Sequence, residues 1–242
     1  RFLMEGIAEG YLIGMASGLA LEGQVVYVNT ISTFITRRCY EQLAVDVCLH
    51  KLNVRLIGNG GGMVYAPLGP THMAVEDISI MRAIPHMTVV APADAEEMRR
   101  LMPLTLDYPG PIYIRVAKGY DPIVTRPDVP FAIGRALPMR AGKDVLLLTT
   151  GITLKLGLEA ADALAAKGVS AGVLHVPTVK PLDTAQILDL AAPVRAIITI
   201  EENSIVGGLG SAVAELVAEA GFDPAKRFRR LGVPDVFPEN YG

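Results

Sequence analysis

Apolar positions along the chain fall into two alternating patterns. Short β-branched and aliphatic runs occupy 25–30, 54–57, 88–90, 112–116, 145–149, 171–175 and 196–200, each bounded by turn-forming residues. Such runs predict strands buried on both faces. Between several of them lie Ala-, Leu- and Glu-rich stretches with helical spacing, at 7–21, 93–106, 154–167 and 211–220. Strand alternating with helix predicts parallel sheets with helices on their faces, and ligands at the carboxyl ends of the strands. The alternation is interrupted at 119–130, where Pro122, Pro127 and Pro130 fit neither a helix interior nor a central strand. A domain boundary is expected there, giving two successive three-layer α/β domains, 1–122 and 123–242.

Composition narrows the function classes. The 242 residues are 51% hydrophobic, enough for a sizeable core. Lys and Arg number 22 against 25 Asp and Glu, and they are dispersed, so no nucleic-acid footprint is expected. Cys39 and Cys48 are too few for a disulfide framework or a structural zinc site, which fits a reduced, cytoplasmic protein and predicts no metal ligands. No uncharged apolar run approaches the roughly 18–20 residues that span a bilayer, so no membrane association is expected.

Four clusters could carry chemistry. In the first, Glu9 lies near a predicted helix start, where a carboxylate either caps the helix dipole or serves a site. The second, 32–42, interleaves Phe34 and Tyr40 with Arg37 and Arg38; this is either one wall of a pocket for a flat anionic ligand or a core Phe beside solvated arginines. The third joins the glycine-rich 58–62 to His72, Glu76 and Asp77. Its glycines allow a ligand or neighbouring backbone to approach, and His72 can exchange protons near neutral pH. The fourth, 201–210, places Glu201 and Glu202 before a Gly-rich helix start; the carboxylates oppose a phosphate, so a structural or interface turn is expected.

Taken in order, these clusters resemble the transketolase family over nearly the whole chain. The resemblance rests on Gly-Ile-Ala-Glu (6–9), Ser-Thr-Phe with Arg-x-Tyr-Glu-Gln (32–42), Gly-Pro-Thr-His with Glu-Asp (69–77), Met-Arg-x-Ile-Pro (81–85), Ala-Pro-Ala-Asp (91–94), Tyr-Ile-Arg (113–115), Val-Lys-Pro-Leu-Asp (179–183) and the 201–210 segment. It implies a thiamine diphosphate pyrimidine-binding fold, lacking its initial strand and helix, followed by a transketolase C-terminal domain-like fold. It implies the C-terminal half or subunit of a thiamine diphosphate-dependent transferase that moves a two-carbon ketol unit from a ketose to an aldehyde. A decarboxylating 1-deoxyxylulose-5-phosphate synthase-like or 2-oxo acid dehydrogenase beta-type enzyme and a noncatalytic scaffold subunit are the alternatives.

By the same resemblance, Glu9 hydrogen-bonds the aminopyrimidine ring nitrogen and assists loss of the thiazolium proton, with Phe34 and Tyr40 contacting the ring. His72 meets a reacting oxygen of the substrate, and Arg38 and Lys118 are anion contacts for sugar phosphates. Two features depart from the family pattern. Leu68 stands where relatives carry an acidic residue that reads a sugar hydroxyl, and Gly60-Gly61-Gly62 replaces a stretch containing a His, so a modified substrate is expected. No Gly-Asp-Gly signature for magnesium and diphosphate is present. The resemblance therefore implies that Mg2+ and the diphosphate are bound mainly by an N-terminal partner subunit or domain, in an α2β2-like heterotetramer acting in carbohydrate metabolism.

Overall fold

The computed structural model describes residues 2–117, 119–221 and 223–239. Helix α1 (Glu9–Leu21) leads into β1 (Val26–Ile31), α2 (Ser32–Arg37) and α3 (Tyr40–Gln42), which continues as a π-helical turn, Leu43–Cys48. Then follow β2 (Val54–Asn59), α4 (Asp77–Ala83), β3 (Thr88–Val90), α5 (Ala95–Leu104) and β4 (Ile112–Val116). The second half runs β5 (Leu137–Arg140), β6 (Val145–Thr149), α6 (Thr153–Ala165), β7 (Ala171–His175), β8 (Thr178–Lys180), α7 (Thr184–Ala191), β9 (Ala196–Ser204), α8 (Leu209–Glu219) and β10 (Arg227–Val233).

The strands form two five-stranded sheets, β1-β2-β4-β3-β8 and β10-β9-β6-β7-β5. Both are parallel except at one edge, where β8 and β5 run antiparallel to their neighbours. All seven strands expected from the apolar runs are present, and the four expected helices start and stop within a few residues of their expected ends. The three unexpected strands lie at sheet edges, where apolar runs are not required: β5 contains Pro138, β8 is three residues long and β10 is Arg-rich.

Side-chain alternation builds the three layers in each half. In the first sheet, Val89 and Tyr113 face Ile13, Ile35 and Met81 of α1, α2 and α4, while Val90, Ile112 and Ile114 face Leu101 of α5. In the second sheet, Leu146, Leu174 and Ile197 join the α7 and α8 residues, and Leu147, Val173 and Ile198 join α6. One buried cluster runs through both halves.

Strand β8 is the reason. It follows the second-sheet strand β7 yet pairs with β3 of the first sheet, Val89 opposite Lys180 and Val90 opposite Thr178. Lys180 Nζ then donates to the carbonyls of Arg82 (2.9 Å) and Ile84 (2.6 Å) at the end of α4. The 119–130 segment contains no helix or strand among the described residues, and Asp94 secures it. One Asp94 carboxylate caps α5 through the Glu97 amide and accepts from the Val124 and Thr125 amides and the Thr125 hydroxyl.

Glu97 and His175 are both fully buried, and they meet across the two halves at 3.0 Å. The same Glu97 oxygen accepts from the Ala93 amide at 2.6 Å, and the other His175 nitrogen lies 3.2 Å from the Thr149 hydroxyl. Glu97→Ala strands these partners without solvent, so it should cost about 3–5 kcal/mol, read as a lowered denaturant midpoint. Glu97→Gln should lose much less.

Candidate active site

Glu9 opens α1, and its first-turn position favours a carboxylate through the unsatisfied amides of the helix start. It is buried, and Arg38 Nη1 donates to its Oε2 at 2.7 Å. Arg38 lies just past the last residue of α2, one turn beyond Phe34, so its guanidinium also covers the Phe34 ring, 4.6 Å from the centroid. An edge-to-face contact joins Phe34 to His72, centroids 5.2 Å apart and planes at 73°. Thr71 Oγ1 lies 2.9 Å from His72 Nδ1. Residues from three separate segments thus form one continuous surface: Glu9, Arg38, Phe34, His72.

The loop carrying His72 is tied down from both sides. Arg37 pairs with the Glu76 carboxylate and donates to the Met73 carbonyl at 3.0 Å. Gly62 and Ala74 exchange two backbone hydrogen bonds. From beneath, the buried Arg115 donates to the Ala74 carbonyl (2.9 Å) and, across the two halves, to the Glu202 carbonyl (2.6 Å). Its Nε lies 3.1 Å from Asp77 Oδ2, which also accepts from the Tyr113 hydroxyl at 2.6 Å. Burial raises the Asp77 carboxyl above its ordinary range, opposed by Arg115 and Tyr113. The roles of Arg37, Asp77 and Arg115 were missed in the sequence. Glu-Asp and Tyr-Ile-Arg were visible there as motifs, but their partners are distant along the chain.

The glycine run is filled by the protein itself. A Cβ on Gly60 would collide with the Tyr65 ring, one on Gly61 with the Arg115 side chain, and one on Gly62 with the Glu202 carboxylate. In place of the ligand or neighbouring backbone expected at 58–62, the side chains of Tyr65, Arg115 and Glu202 make the close approach at Gly60, Gly61 and Gly62. Leu68 is exposed on a short 3-10 turn preceding the His72 segment.

Tyr40 is turned toward α4, where its hydroxyl donates to the Ile80 carbonyl at 3.0 Å. Lys118 lies outside the described residues. In the fourth cluster, Glu201 turns back on its own helix: its two oxygens accept from the Leu209 and Gly210 amides, each at 2.7 Å, so α8 carries an internal carboxylate cap. The expected structural turn is what forms. An apolar cavity of about 620 Å³ opens beside this turn, lined by residues including Met63, Ile152, Leu156 and Val236; Glu9 and His72 are not among its walls. The described residues contain no cluster of three or more His, Cys, Asp or Glu suited to a metal, and no helix long and apolar enough to cross a membrane.

Residues 1–120 match the model of the transketolase pyrimidine binding domain, and residues 134–242 that of the transketolase C-terminal domain. The chain belongs to the transketolase family. It is 40% identical to a 6-deoxy-6-sulfo-D-fructose transketolase subunit of Clostridium sp. (strain MSTE9), with 99% of this chain and 73% of the relative covered. It is 37% identical to one of the apulose-4-phosphate transketolase subunits of Actinobacillus succinogenes, covering 97% and 75%. A 1-deoxy-D-xylulose-5-phosphate synthase of Synechococcus sp. (strain JA-2-3B'a(2-13)) is also 40% identical, covering 99% of this chain and 37% of the synthase. Among solved structures, a split-gene transketolase described as an inactive beta4 tetramer superposes with a TM-score of 0.90 at 37% identity, over 99% of this chain and 77% of that one. The two mixed α/β sheets are thus the transketolase arrangement of two successive α/β domains.

Two predictions test the packing around this surface. Arg115 is pinned at three points and cannot yield to a new methyl group, so Gly61→Ala should destabilise the fold by about 1–3 kcal/mol in denaturant titrations. Burial pushes the Glu201 carboxyl from 4.5 up to about 7, against the two amides that hold its charged form. Between those values the folded chain keeps a proton that the unfolded chain releases, so stability should fall as pH rises through this window, by on the order of 3 kcal/mol in full. Denaturant midpoints at about pH 5 and about pH 7.5 should differ in that sense, and Glu201→Gln should flatten the contribution.

Proposed function

We propose that this chain is the C-terminal subunit or half of a thiamine diphosphate-dependent transketolase-like enzyme, transferring a two-carbon ketol unit from a ketose donor to an aldehyde acceptor. The observation that carries this reading is the gathering of Glu9, Phe34 and His72 on one surface. The donor set suits an aminopyrimidine. A buried carboxylate can accept an N–H and share a proton with a ring nitrogen, and the Phe34 face can take a flat ring. Thiamine diphosphate, once bound, supplies the nucleophilic carbon that accepts and passes on the two-carbon unit. Within this reading Glu9 holds the proton at the pyrimidine ring, Phe34 stacks against that ring, and Tyr40 braces α3 against α4. His72, held by Thr71 and the Arg37 anchors, meets a reacting carbonyl or hydroxyl oxygen of the substrate.

Glu9 and His72 lie outside the walls of the large apolar cavity, on a surface that supplies one side of a site. The other side, with magnesium and the diphosphate, is assigned to an N-terminal partner subunit or domain carrying the pyrophosphate site, in an α2β2-like assembly. The relatives named as subunits and the inactive tetramer of beta chains support this division. The buried Cys39 and Cys48 thiols, each pushed up to about 12 by burial, are inert and suit a cytoplasmic setting. The exposed Leu68 offers no hydrogen bond to a sugar hydroxyl, so the pocket favours a donor or acceptor altered at that position. Sugar phosphates remain the substrate class, with Lys118 as a candidate anion contact.

The equal identity to a 1-deoxy-D-xylulose-5-phosphate synthase keeps a decarboxylating reaction as the second reading. The test combines this chain with its partner, thiamine diphosphate and magnesium, and follows ketol transfer from a panel of ketoses alongside carbon dioxide release from pyruvate. Ketol transfer without decarboxylation is expected; decarboxylation without ketol transfer would reverse the assignment. Glu9→Ala should lower turnover at least about 100-fold while changing stability by no more than about 1 kcal/mol, because its partner Arg38 is half exposed. Unchanged turnover in this variant would refute the role given to Glu9 and move the chain to a scaffold subunit.

A further inference from the structure

Resting on that reading of the site, we infer that Arg38 occupies the seat of the cofactor's aminopyrimidine ring and must be displaced for the ring to bind. The guanidinium makes the two contacts that the ring requires. It donates to Glu9 Oε2 at 2.7 Å, and it lies over the Phe34 ring at 4.6 Å. A guanidinium and an aminopyrimidine share the relevant chemistry: both are flat, both stack on an aromatic ring, and the ring, once its nitrogen shares the Glu9 proton, presents an in-plane N–H to the carboxylate as the guanidinium does. His72 meets Phe34 in a T-shaped contact, so the Phe34 ring is shared by His72 and Arg38.

The two adjacent arginines divide the work. Arg37 is pinned to the Glu76 carboxylate and the Met73 carbonyl, and it holds the His72 loop. Among the described residues the side-chain hydrogen bond and the cation–π contact of Arg38 are made to Glu9 and Phe34, and its side chain is 46% exposed. It follows the last residue of α2, with water on its outer side, so rotation about its own side-chain bonds releases both contacts without moving the backbone. In the ring's absence Arg38 keeps the Glu9 carboxylate paired and the Phe34 face covered. The apparent affinity for the ring is then the intrinsic affinity reduced by the fraction of molecules in which Arg38 has swung out. A half-exposed ion pair combined with a cation–π contact holds that fraction to about one in ten.

The test titrates the aminopyrimidine fragment of thiamine, 4-amino-5-hydroxymethyl-2-methylpyrimidine, into the wild-type chain, into Arg38→Met and into the Glu9→Gln, Arg38→Met double variant. Binding is followed by the NMR signals of the Phe34 and His72 rings, with thermal unfolding to verify that each variant is folded. Arg38→Met keeps the apolar stem and removes the stand-in, so it should bind the fragment about tenfold more tightly than wild type, and the double variant should lose that gain. Equal or weaker binding by Arg38→Met, with the fragment still binding wild type, would overturn this inference and leave the aminopyrimidine reading intact. No binding of the fragment or of thiamine diphosphate by either folded Glu9-containing protein, with the partner subunit and magnesium present, would overturn the aminopyrimidine reading and this inference together. With the partner subunit and magnesium added, thiamine diphosphate itself should show the same ratio between wild type and Arg38→Met.

Discussion

The buried guanidinium of Arg115 is the point on which the rest of the site depends. It leaves β4 of the first sheet and reaches three groups that are distant in sequence: the carboxylate of Asp77, the carbonyl of Ala74 in the His72 loop, and the carbonyl of Glu202 in the second half. A charge with so little water must be satisfied by fixed partners, and those partners are consequently fixed in turn. The His72 loop, the start of α4 and the end of β9 therefore share one anchor. The glycines at 61 and 62 are a consequence, since the space in which a side chain would stand is held by Arg115 and Glu202.

The same economy joins the two halves. Strand β8 completes the first sheet from the second half of the chain, and Lys180, Glu97 with His175, and Arg82 with Glu215 make polar contacts across the junction. The apolar cluster passes through this junction without a break. Movement of one half against the other would expose both a sheet edge and buried polar groups, so the second domain serves as a rigid support for the loop that carries His72.

Carboxylates at two helix starts have opposite fates. Glu201 is turned onto the amides of its own helix and is chemically spent as a cap. Glu9, at the start of α1, is paired instead with a half-exposed side chain that can leave. Both positions benefit from the helix start, and the difference between a structural and an available carboxylate lies in how firmly the partner is held.

The element alternation and the parallel sheets were legible in the sequence, because buried parallel strands need unbroken apolar runs, and Glu9, Phe34 and His72 could be named as candidates because each sits within a local motif. The edge strands β5, β8 and β10 were not, since an edge satisfies only one side and tolerates Pro, Lys and Arg. Nor could spacing show that Arg38 turns to Glu9, that Tyr40 reaches the Ile80 carbonyl, or that Arg115 holds Glu202, residues 29, 40 and 87 positions apart. Local pattern determined which segments become strands and helices. Only the tertiary structure decided which charges meet, because those partners are chosen by packing between segments that periodicity does not connect.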